Sequence, residues 1–209
     1  MTPRQVPRTH PAETSPGDRG SACGVLSADP RPVLRVLHLQ RTCISLVLFG
    51  PPADDRHMEI DVSPVAWVRG GRIEPTDDDW DREHCVIEMD ARFGEDALAG
   101  LGSFSHVDVV FVFHLVDEVE VTTGARRPRG RADWPEVGIF AQRGKVRPNR
   151  IGVTTCSLES VEGNRVSVRG LDAIDGTPVL DLKPHMLGFG PRGLVHQPPW
   201  ADEIMAGYW

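Results

Sequence analysis

From residue 59 onward the chain consists mainly of short segments rich in β-branched and aromatic residues, separated by glycine, proline, asparagine and aspartate. Such segments are too short for long helices and are typical of β-strands joined by turns. They comprise residues 63–70, 84–93, 106–116, 136–142, 150–163, 164–175 and 177–184. Their number and spacing predict a mainly β fold, an antiparallel β-barrel or sandwich.

Three local patterns refine this prediction. Residues 161–168 have the pattern of a hairpin with its turn at residues 162–164. Residues 94–104 place alanine and leucine at near-helical spacing, which predicts a short helix. The segment 198–209 places Trp200, Ile204 and Tyr208 four residues apart, as on one face of a helix. We therefore expect short helices beside the strands.

The N-terminal part of the chain has a different character. Residues 1–32 are rich in Pro, Arg, Ser, Thr and Gly and contain almost no large apolar side chains, so they cannot offset the entropy cost of ordering. Residues 50–58 have the composition of a linker. We predict that residues 1–57 are a disordered extension, or a spurious one produced by a misassigned start codon, and that residues 58–209 form the folded domain.

Cysteine usage and hydropathy exclude several classes of protein. The four cysteines lie at positions 23, 43, 85 and 156 with no Cys-x-x-Cys pair, which argues against a zinc site or a disulfide framework. They are interpreted as reduced thiols in a cytoplasmic protein. The apolar run 43–49 is too short to span a bilayer. The acidic stretch 76–80 is interpreted as a solvated loop and not as a metal site.

Positive charge is concentrated in one segment of an acidic protein. The formal net charge is −7, yet residues 126–150 contain eight basic residues against two acidic ones. Such a distribution favours a protein that captures a polyanion on one face, because each Lys or Arg placed on a phosphate releases condensed counterions. A solvated charged loop on an ordinary surface is the alternative interpretation.

Three blocks of sequence resemble a known family. They are GSFSHVDVVFVFHL (102–115), VGIFAQRGKVRPNRIGV (137–153) and LDAIDGTPVLDLKP (171–184). In this order they resemble the TsaA-like, or TrmO, family of S-adenosylmethionine-dependent tRNA methyltransferases. The resemblance implies a small β-barrel, usually a homodimer, that binds S-adenosyl-L-methionine. It also implies methylation of the N6-threonylcarbamoyl-modified adenosine beside the tRNA anticodon.

The resemblance also implies a set of site residues. The positions that match the family's cofactor contacts are His114, Leu115, Arg143, Val153, Asp172, Ala173, Ile174 and Asp175. Carboxylates suit the ribose hydroxyls and the ammonium of the donor, and a guanidinium suits its carboxylate. His114 and Asp175 are the candidates for a general base. Both have plain structural alternatives, since Asp-Gly is a common turn element and a histidine at a strand end is usually structural.

This chain departs from the family pattern at several places, one of which is a rewritten insertion at 118–136 that adds most of the arginine cluster. The acidic residues 72–83 stand where the family has a Pro-Arg-Gln element, Gly144-Lys145-Val146 replaces Ser-Pro-Phe, and Arg150 replaces a proline. These differences indicate a divergent branch. The basic side chains proposed to approach RNA are Arg126, Arg127, Arg129, Lys145 and Arg150.

Three hypotheses about function follow. The favoured one is a methyltransferase acting on tRNA, as a homodimer. The alternatives are a methyltransferase acting on a small metabolite, which fits the acidic net charge, and a non-catalytic module that binds the cofactor or an anion.

Overall fold

The computed structural model describes residues 60–209. The prediction for residues 1–57 lies outside this part of the chain. Eight β-strands and one α-helix are present in it: β1 (Ala66–Arg69), β2 (His84–Met89), β3 (His106–Val112), β4 (Ala125–Arg126), β5 (Val137–Gly138), β6 (Ile151–Glu162), β7 (Arg165–Arg169), β8 (Pro178–Pro184) and α1 (Pro199–Met205). Short 3₁₀ helices occupy Trp80–Arg82, Glu95–Leu98, Leu101–Ser103, Glu118–Glu120, Pro128–Gly130, Ile139–Ala141, Pro148–Arg150 and Leu187–Phe189.

Six strands close into an antiparallel barrel in the order β1-β2-β7-β6-β3-β8. The mainly β barrel expected from the sequence is therefore confirmed. Strands β4 and β5 form a separate two-stranded sheet. None of the helices in the described part of the chain has the length and apolar character needed to cross a membrane.

The barrel core follows from the alternation of side chains along the strands. Val107, Val109 and Phe111 of β3 point inward and are at most 1% exposed, while the residues between them face outward. The same period buries Val166 and Val168 of β7. Burying each such side chain stabilises the fold by about 1.5–3 kcal/mol. In β3 and β7 the inward face is therefore the one that carries these buried apolar side chains.

The first residues of strand β6 show the opposite distribution, with small or polar side chains inside the barrel and apolar ones outside. Gly152, Thr154 and Cys156 face inward, whereas Ile151 and Val153 are exposed on the outer surface. Burial raises the pKa of the Cys156 thiol, so the thiol remains protonated. The side chains that this end of β6 places inside the barrel are consequently small and partly polar, whereas those of β3 are apolar.

Two local predictions are confirmed and two are corrected. The hairpin joins β6 to β7 through Gly163 and Asn164, and Gly163 has the positive φ of 58° that such a turn requires. The helix at 198–209 is present as α1. Residues 94–104 form two 3₁₀ helices and not one helix, because Gly100 interrupts them at φ 86°. In the predicted strand 136–142 only Val137–Gly138 pairs.

The reason for the second correction is a buried glutamine. Gln142 is 9% exposed, and its side-chain Nε2 donates hydrogen bonds to the carbonyl oxygens of Arg126 (3.0 Å) and Val137 (2.8 Å). These bonds hold the chain in a tight turn after β5, which ends the strand. Gln142 thereby links β4, β5 and the loop that follows.

Candidate functional site

A cavity of about 1120 Å³ opens at the end of the barrel where β3 finishes and β6 begins. Segments that are far apart in sequence form its walls: 75–80, 111–116, 141–146, 172–177 and 197–209 all contribute side chains. Ligand pockets usually measure about 300–1,000 Å³. The cavity therefore has room for a cofactor-sized molecule and for a second group beside it.

Asp172 presents a carboxylate to this cavity and is held at both oxygens. Oδ1 accepts a hydrogen bond from Oγ1 of the buried Thr154. Oδ2 accepts one from the hydroxyl of Tyr208 at 2.5 Å. A carboxylate has about four lone-pair sites, so each oxygen keeps capacity for a ligand. The residue is thus an oriented acceptor at the edge of the cavity.

Arg143 lines the same cavity. Its Nη2 donates to the carbonyl oxygen of Val153 on β6. The loop before and after it is fixed by Gln142, described above, and by Arg147, whose Nη2 donates to the Gln142 carbonyl oxygen at 3.1 Å. Sequence reasoning overlooked Gln142, whose role is revealed only by its burial.

His114 lies in the turn that follows β3 and lines the cavity. Its Nδ1 is 3.4 Å from Oγ1 of the buried Thr177. Burial lowers the pKa of His114 below its ordinary value of about 6.5. The imidazole is therefore neutral at neutral pH, and a neutral imidazole is able to accept a proton.

This shift in the His114 pKa predicts a pH dependence of stability. Because the folded-state pKa is below the unfolded one, the unfolded chain binds more protons between the two values, and stability falls as the pH drops through about 6.5. Replacing His114 with Gln is expected to remove this contribution. The measurement is the free energy of unfolding of both proteins from about pH 8 to about pH 5. If the free energy of unfolding depends on pH in the same way in both proteins, the lowered pKa of His114 in the folded state is contradicted.

The remaining predicted cofactor residues do not all reach the cavity. Leu115, Ala173 and Ile174 line it. Val153 instead lines a small adjoining cavity of about 80 Å³, which Arg143 and Asp172 also border. Asp175 lines neither of the two cavities, and its Oδ1 accepts a hydrogen bond from the backbone N–H of Gly70 at 2.8 Å. The structure thus gives Asp175 the role of a turn anchor.

Thr76, Asp77 and Asp79 of the acidic stretch 76–80 are exposed, as expected of a solvated loop, whereas Trp80 is buried. The segment 72–83 around this stretch is organised by Arg72. Its guanidinium donates to the carbonyl oxygens of Asp78 (2.9 Å) and Asp79 (3.1 Å), pairs with Glu83 at 3.0 Å, and lies 4.0 Å above the ring of buried Trp80. These contacts hold the loop in place, and its Trp80 side chain forms part of the cavity wall. Within residues 60–209, no three His, Cys, Asp or Glu side chains are grouped to hold a metal ion.

The five basic residues proposed for RNA separate into two groups. Arg126, Arg129 and Lys145 line the cavity. Arg127 donates to the carbonyl oxygen of Trp134 at 2.5 Å and Arg150 to that of Val116 at 2.8 Å, so both serve to hold loops. Arg129 forms a two-point ion pair with Asp78, with Nη1 2.9 Å from Oδ2. Their part in binding RNA stays a prediction, and the geometry favours the first group.

Sequence reasoning missed the contribution of residues 197–209. Trp200, Ile204, Tyr208 and Trp209 all line the cavity. The four-residue spacing of the first three predicted an apolar face correctly. Nothing in that spacing indicated which part of the barrel the face would cover, because contacts between distant segments are not encoded in local periodicity.

Known proteins share much of this sequence. Residues 74–189 match the family model of the tRNA-methyltransferase O N-terminal domain, TrmO_N. A mouse protein named tRNA (adenine(37)-N6)-methyltransferase is 43% identical over 104 residues, which cover 49% of this chain and 24% of the mouse protein. A probable S-adenosyl-L-methionine-binding protein of Methanothermobacter thermautotrophicus is 35% identical over 133 residues, covering 61% of this chain and 91% of that protein.

A solved structure supports the same relationship. The crystal structure of TrmO from Pseudomonas aeruginosa aligns with a TM-score of 0.53 and 29% sequence identity, covering 66% of this chain and 62% of that one. The chain spans about a quarter of the length of the mouse relative. Because the matching family model covers more than half of the chain, this protein belongs to the TrmO N-terminal domain family.

Proposed function

We propose that this protein is an S-adenosylmethionine-dependent methyltransferase that methylates N6 of the threonylcarbamoyl-modified adenosine beside the tRNA anticodon. The observation that supports this most is that one cavity collects Asp172, Arg143 and His114 from three separate segments. Relatives bear the names tRNA (adenine(37)-N6)-methyltransferase and S-adenosyl-L-methionine-binding protein. The cavity and these names point to the same chemistry.

The chemistry of the side chains suits the methyl donor. Asp172 offers lone pairs for ribose hydroxyls or an ammonium, and Arg143 offers a guanidinium for a carboxylate. Phe113, which is only partly buried and packs edge to face on the core residue Phe111 with ring centroids 5.2 Å apart, gives the cavity an apolar surface suited to an adenine ring. We propose that these residues hold the donor, with Leu115, Ala173 and Ile174 around it.

Catalysis would rest mainly on alignment. S-adenosyl-L-methionine supplies an electrophilic methyl group for an in-line displacement. Most of the reduction in the activation barrier would therefore come from holding the donor and the acceptor in line. The neutral imidazole of His114 would take the proton released by the acceptor nitrogen. Asp175, the other candidate base, lies outside the cavity, and we therefore assign this role to His114.

The decisive experiment has a binding arm and a catalytic arm. Calorimetric titration with S-adenosyl-L-methionine tests binding, and Arg143→Ala is expected to weaken it by about ten- to a hundredfold, because the substitution removes a charge-assisted hydrogen bond. Incubation with labelled donor and tRNA carrying or lacking threonylcarbamoyladenosine, followed by nucleoside mass spectrometry, tests the acceptor. Absence of donor binding by the wild-type protein would refute the proposal.

We further propose that Arg126, Arg129 and Lys145 face the phosphates of the RNA. In a double variant, Arg126→Ala with Lys145→Ala, RNA affinity is expected to fall. The slope of log K against log salt is expected to decrease by roughly 0.7–0.9 for each phosphate that the variant no longer neutralises.

Arg165→Ala serves as the matched control for this double variant. Arg165 pairs with Glu88 on the barrel and lines neither of the two cavities, so its replacement removes a positive charge away from the proposed RNA surface. The control is expected to keep the wild-type salt dependence. Parallel slopes for wild type and double variant would exclude phosphate contacts.

A homodimer in the cytoplasm completes the proposal. Its support is a set of apolar side chains that are solvent-exposed on the single chain: Ile151, Val153, Leu187, Phe189 and Leu194. Exposed apolar surface of this kind is typical of sites that bind another protein. Sedimentation equilibrium is expected to show twice the chain mass, and Leu187→Ser with Phe189→Ser to shift it toward the monomer.

A small-molecule acceptor is the second candidate. It is favoured by the carboxylate of Asp77 in the cavity and by the neutralisation of Arg129 by Asp78, both of which weaken attraction for a polyanion. Methyl transfer to a cationic metabolite with no transfer to bulk RNA would favour this candidate. Donor binding without methyl transfer to any acceptor would instead indicate that the protein is a non-catalytic module that binds the cofactor.

A further inference from the structure

The segment at 197–209, called here the C-terminal segment, forms one wall of the large cavity. It contains α1 and the residues that follow it. Its contribution to the cavity wall is aromatic and aliphatic: Trp200, Ile204, Met205, Tyr208 and Trp209. The family model ends at residue 189, so this wall lies beyond the matched domain.

Besides the bond made by the Tyr208 hydroxyl, three hydrogen bonds fix the C-terminal segment to the rest of the domain. The backbone N–H groups of Asp79 and Trp80 donate to the carbonyl oxygens of Gly207 and Tyr208, each at 2.9 Å. The indole Nε1 of Trp134 donates to Oε2 of Glu203 at 2.7 Å. Trp80 and Trp134 are 5% and 4% exposed. The segment is therefore attached to buried parts of the fold.

Tyr208 connects this segment to a carboxylate proposed to bind the donor. Its hydroxyl donates to Oδ2 of Asp172 at 2.5 Å, while Thr154 donates to Oδ1. Burial and the neighbouring Asp172 raise the pKa of the Tyr208 phenol, so it stays protonated and remains a donor. Two hydroxyls on opposite oxygens fix the plane of a carboxylate and leave a lone pair on each oxygen.

We propose that Tyr208 is a positioning residue, which orients the Asp172 carboxylate for the methyl donor, and that the C-terminal segment is thereby part of the donor site. This inference rests on the proposed function. The physical reason is that a carboxylate oriented before binding loses less conformational freedom when the ligand arrives, which increases affinity. Thr154 alone would leave the carboxylate free to turn about its remaining torsion.

The test is a double-mutant cycle read by donor binding. Tyr208→Phe keeps the ring and removes the hydroxyl, and is expected to weaken S-adenosyl-L-methionine binding about tenfold in calorimetry. In the Asp172→Asn background the same change is expected to have almost no further effect, because Tyr208 acts through that carboxylate. A merely structural role would weaken binding equally in both backgrounds and would overturn the proposal.

A matched control separates the hydroxyl from the anchoring of the segment. Glu203→Ala removes the hydrogen bond from Trp134 and leaves Tyr208 and Asp172 unchanged. If Tyr208 acts by orienting Asp172, Glu203→Ala weakens binding much less than Tyr208→Phe does. Equal losses of affinity in the two variants would show that attachment of the segment matters and not the hydroxyl, which would also overturn the proposal.

A spectroscopic measurement is independent of the donor. Tyr208 is the single tyrosine in the chain, so phenol ionisation followed by ultraviolet absorbance reports on this residue alone. Ionisation is expected well above the ordinary phenol pKa in the wild type and closer to it in Asp172→Asn. Equal titration curves would show that the hydroxyl does not reach Asp172 and would refute the inference.

The outcomes distinguish this inference from the proposed function. If the wild type fails to bind the donor, the proposed function and the role of Tyr208 both fail, whatever the titration shows. If the wild type binds the donor and Tyr208→Phe binds it equally well or more tightly, the function stands and the role of Tyr208 is refuted. The inference is supported if Tyr208→Phe weakens donor binding in the otherwise wild-type protein and has almost no effect in the Asp172→Asn background.

Discussion

Replacing Gly152 with alanine is expected to lower the free energy of unfolding by about 3 kcal/mol, the upper end for an overpacked core. An added Cβ would lie 2.5 Å from Cε2 and Cζ of the Phe111 ring, closer than real side-chain contacts. Phe111 is the direct cross-strand partner of Gly152, and β3 pairs with β6 on one side and β8 on the other. Neither backbone is free to move away, so the strain stays in the core.

Urea unfolding of matched variants tests this expectation. Gly102→Ala adds the same methyl group at a place where the nearest atoms, in Val161, are 3.9 Å away, and a near-zero effect is expected. Phe111→Leu in the Gly152→Ala background removes the clashing ring atoms, so the double variant should lose less stability than the two single variants together. Additive effects would show that the ring is not the cause.

The second large effect concerns two aspartates three residues apart. Asp172→Asn is expected to weaken S-adenosyl-L-methionine binding on the order of 10- to 100-fold, because the amide lacks the charge and one acceptor oxygen. Asp175→Asn is expected to leave binding within about twofold of the wild type, because its carboxylate lies outside the cavity and bonds the N–H of Gly70. Calorimetric titration of both variants measures the difference.

Both substitutions remove one negative charge from the same segment, so each controls for the net charge of the other. A similar loss of affinity in Asp175→Asn would contradict the placement of the donor in this cavity. It would instead support the expectation from the family resemblance, in which both aspartates contact the cofactor. Thermal unfolding of the two variants checks that neither change in affinity arises from unfolding.

The positions of most strands along the chain were predictable from the sequence. In β3 the alternation of Val107, Val109 and Phe111 with outward-facing neighbours defines both the strand and its buried face. Turn residues such as Gly163 separate the strands because few other residues adopt their backbone conformation. The predicted strand at 136–142 failed because the bonds from the Gln142 side chain end it.

The candidate site was predictable only in part. The positions of His114, Arg143 and Asp172 followed from three blocks of family-like sequence, and the structure brings all three to one cavity. The same blocks also named Asp175, which lines neither cavity and accepts a hydrogen bond from the backbone N–H of Gly70. A short motif identifies residue types in order, whereas the direction of each side chain depends on backbone turns.

The sequence by itself determined most of the barrel strands and the family, because these depend on residue preferences along short segments and on local blocks of residues. Only the tertiary structure decided which groups share a cavity. The hydroxyl of Tyr208 reaches Asp172 across 36 positions of the chain, and Asp78 pairs with Arg129 across 51. Such pairs form when the barrel closes and its loops pack together, and no periodicity along the chain specifies them.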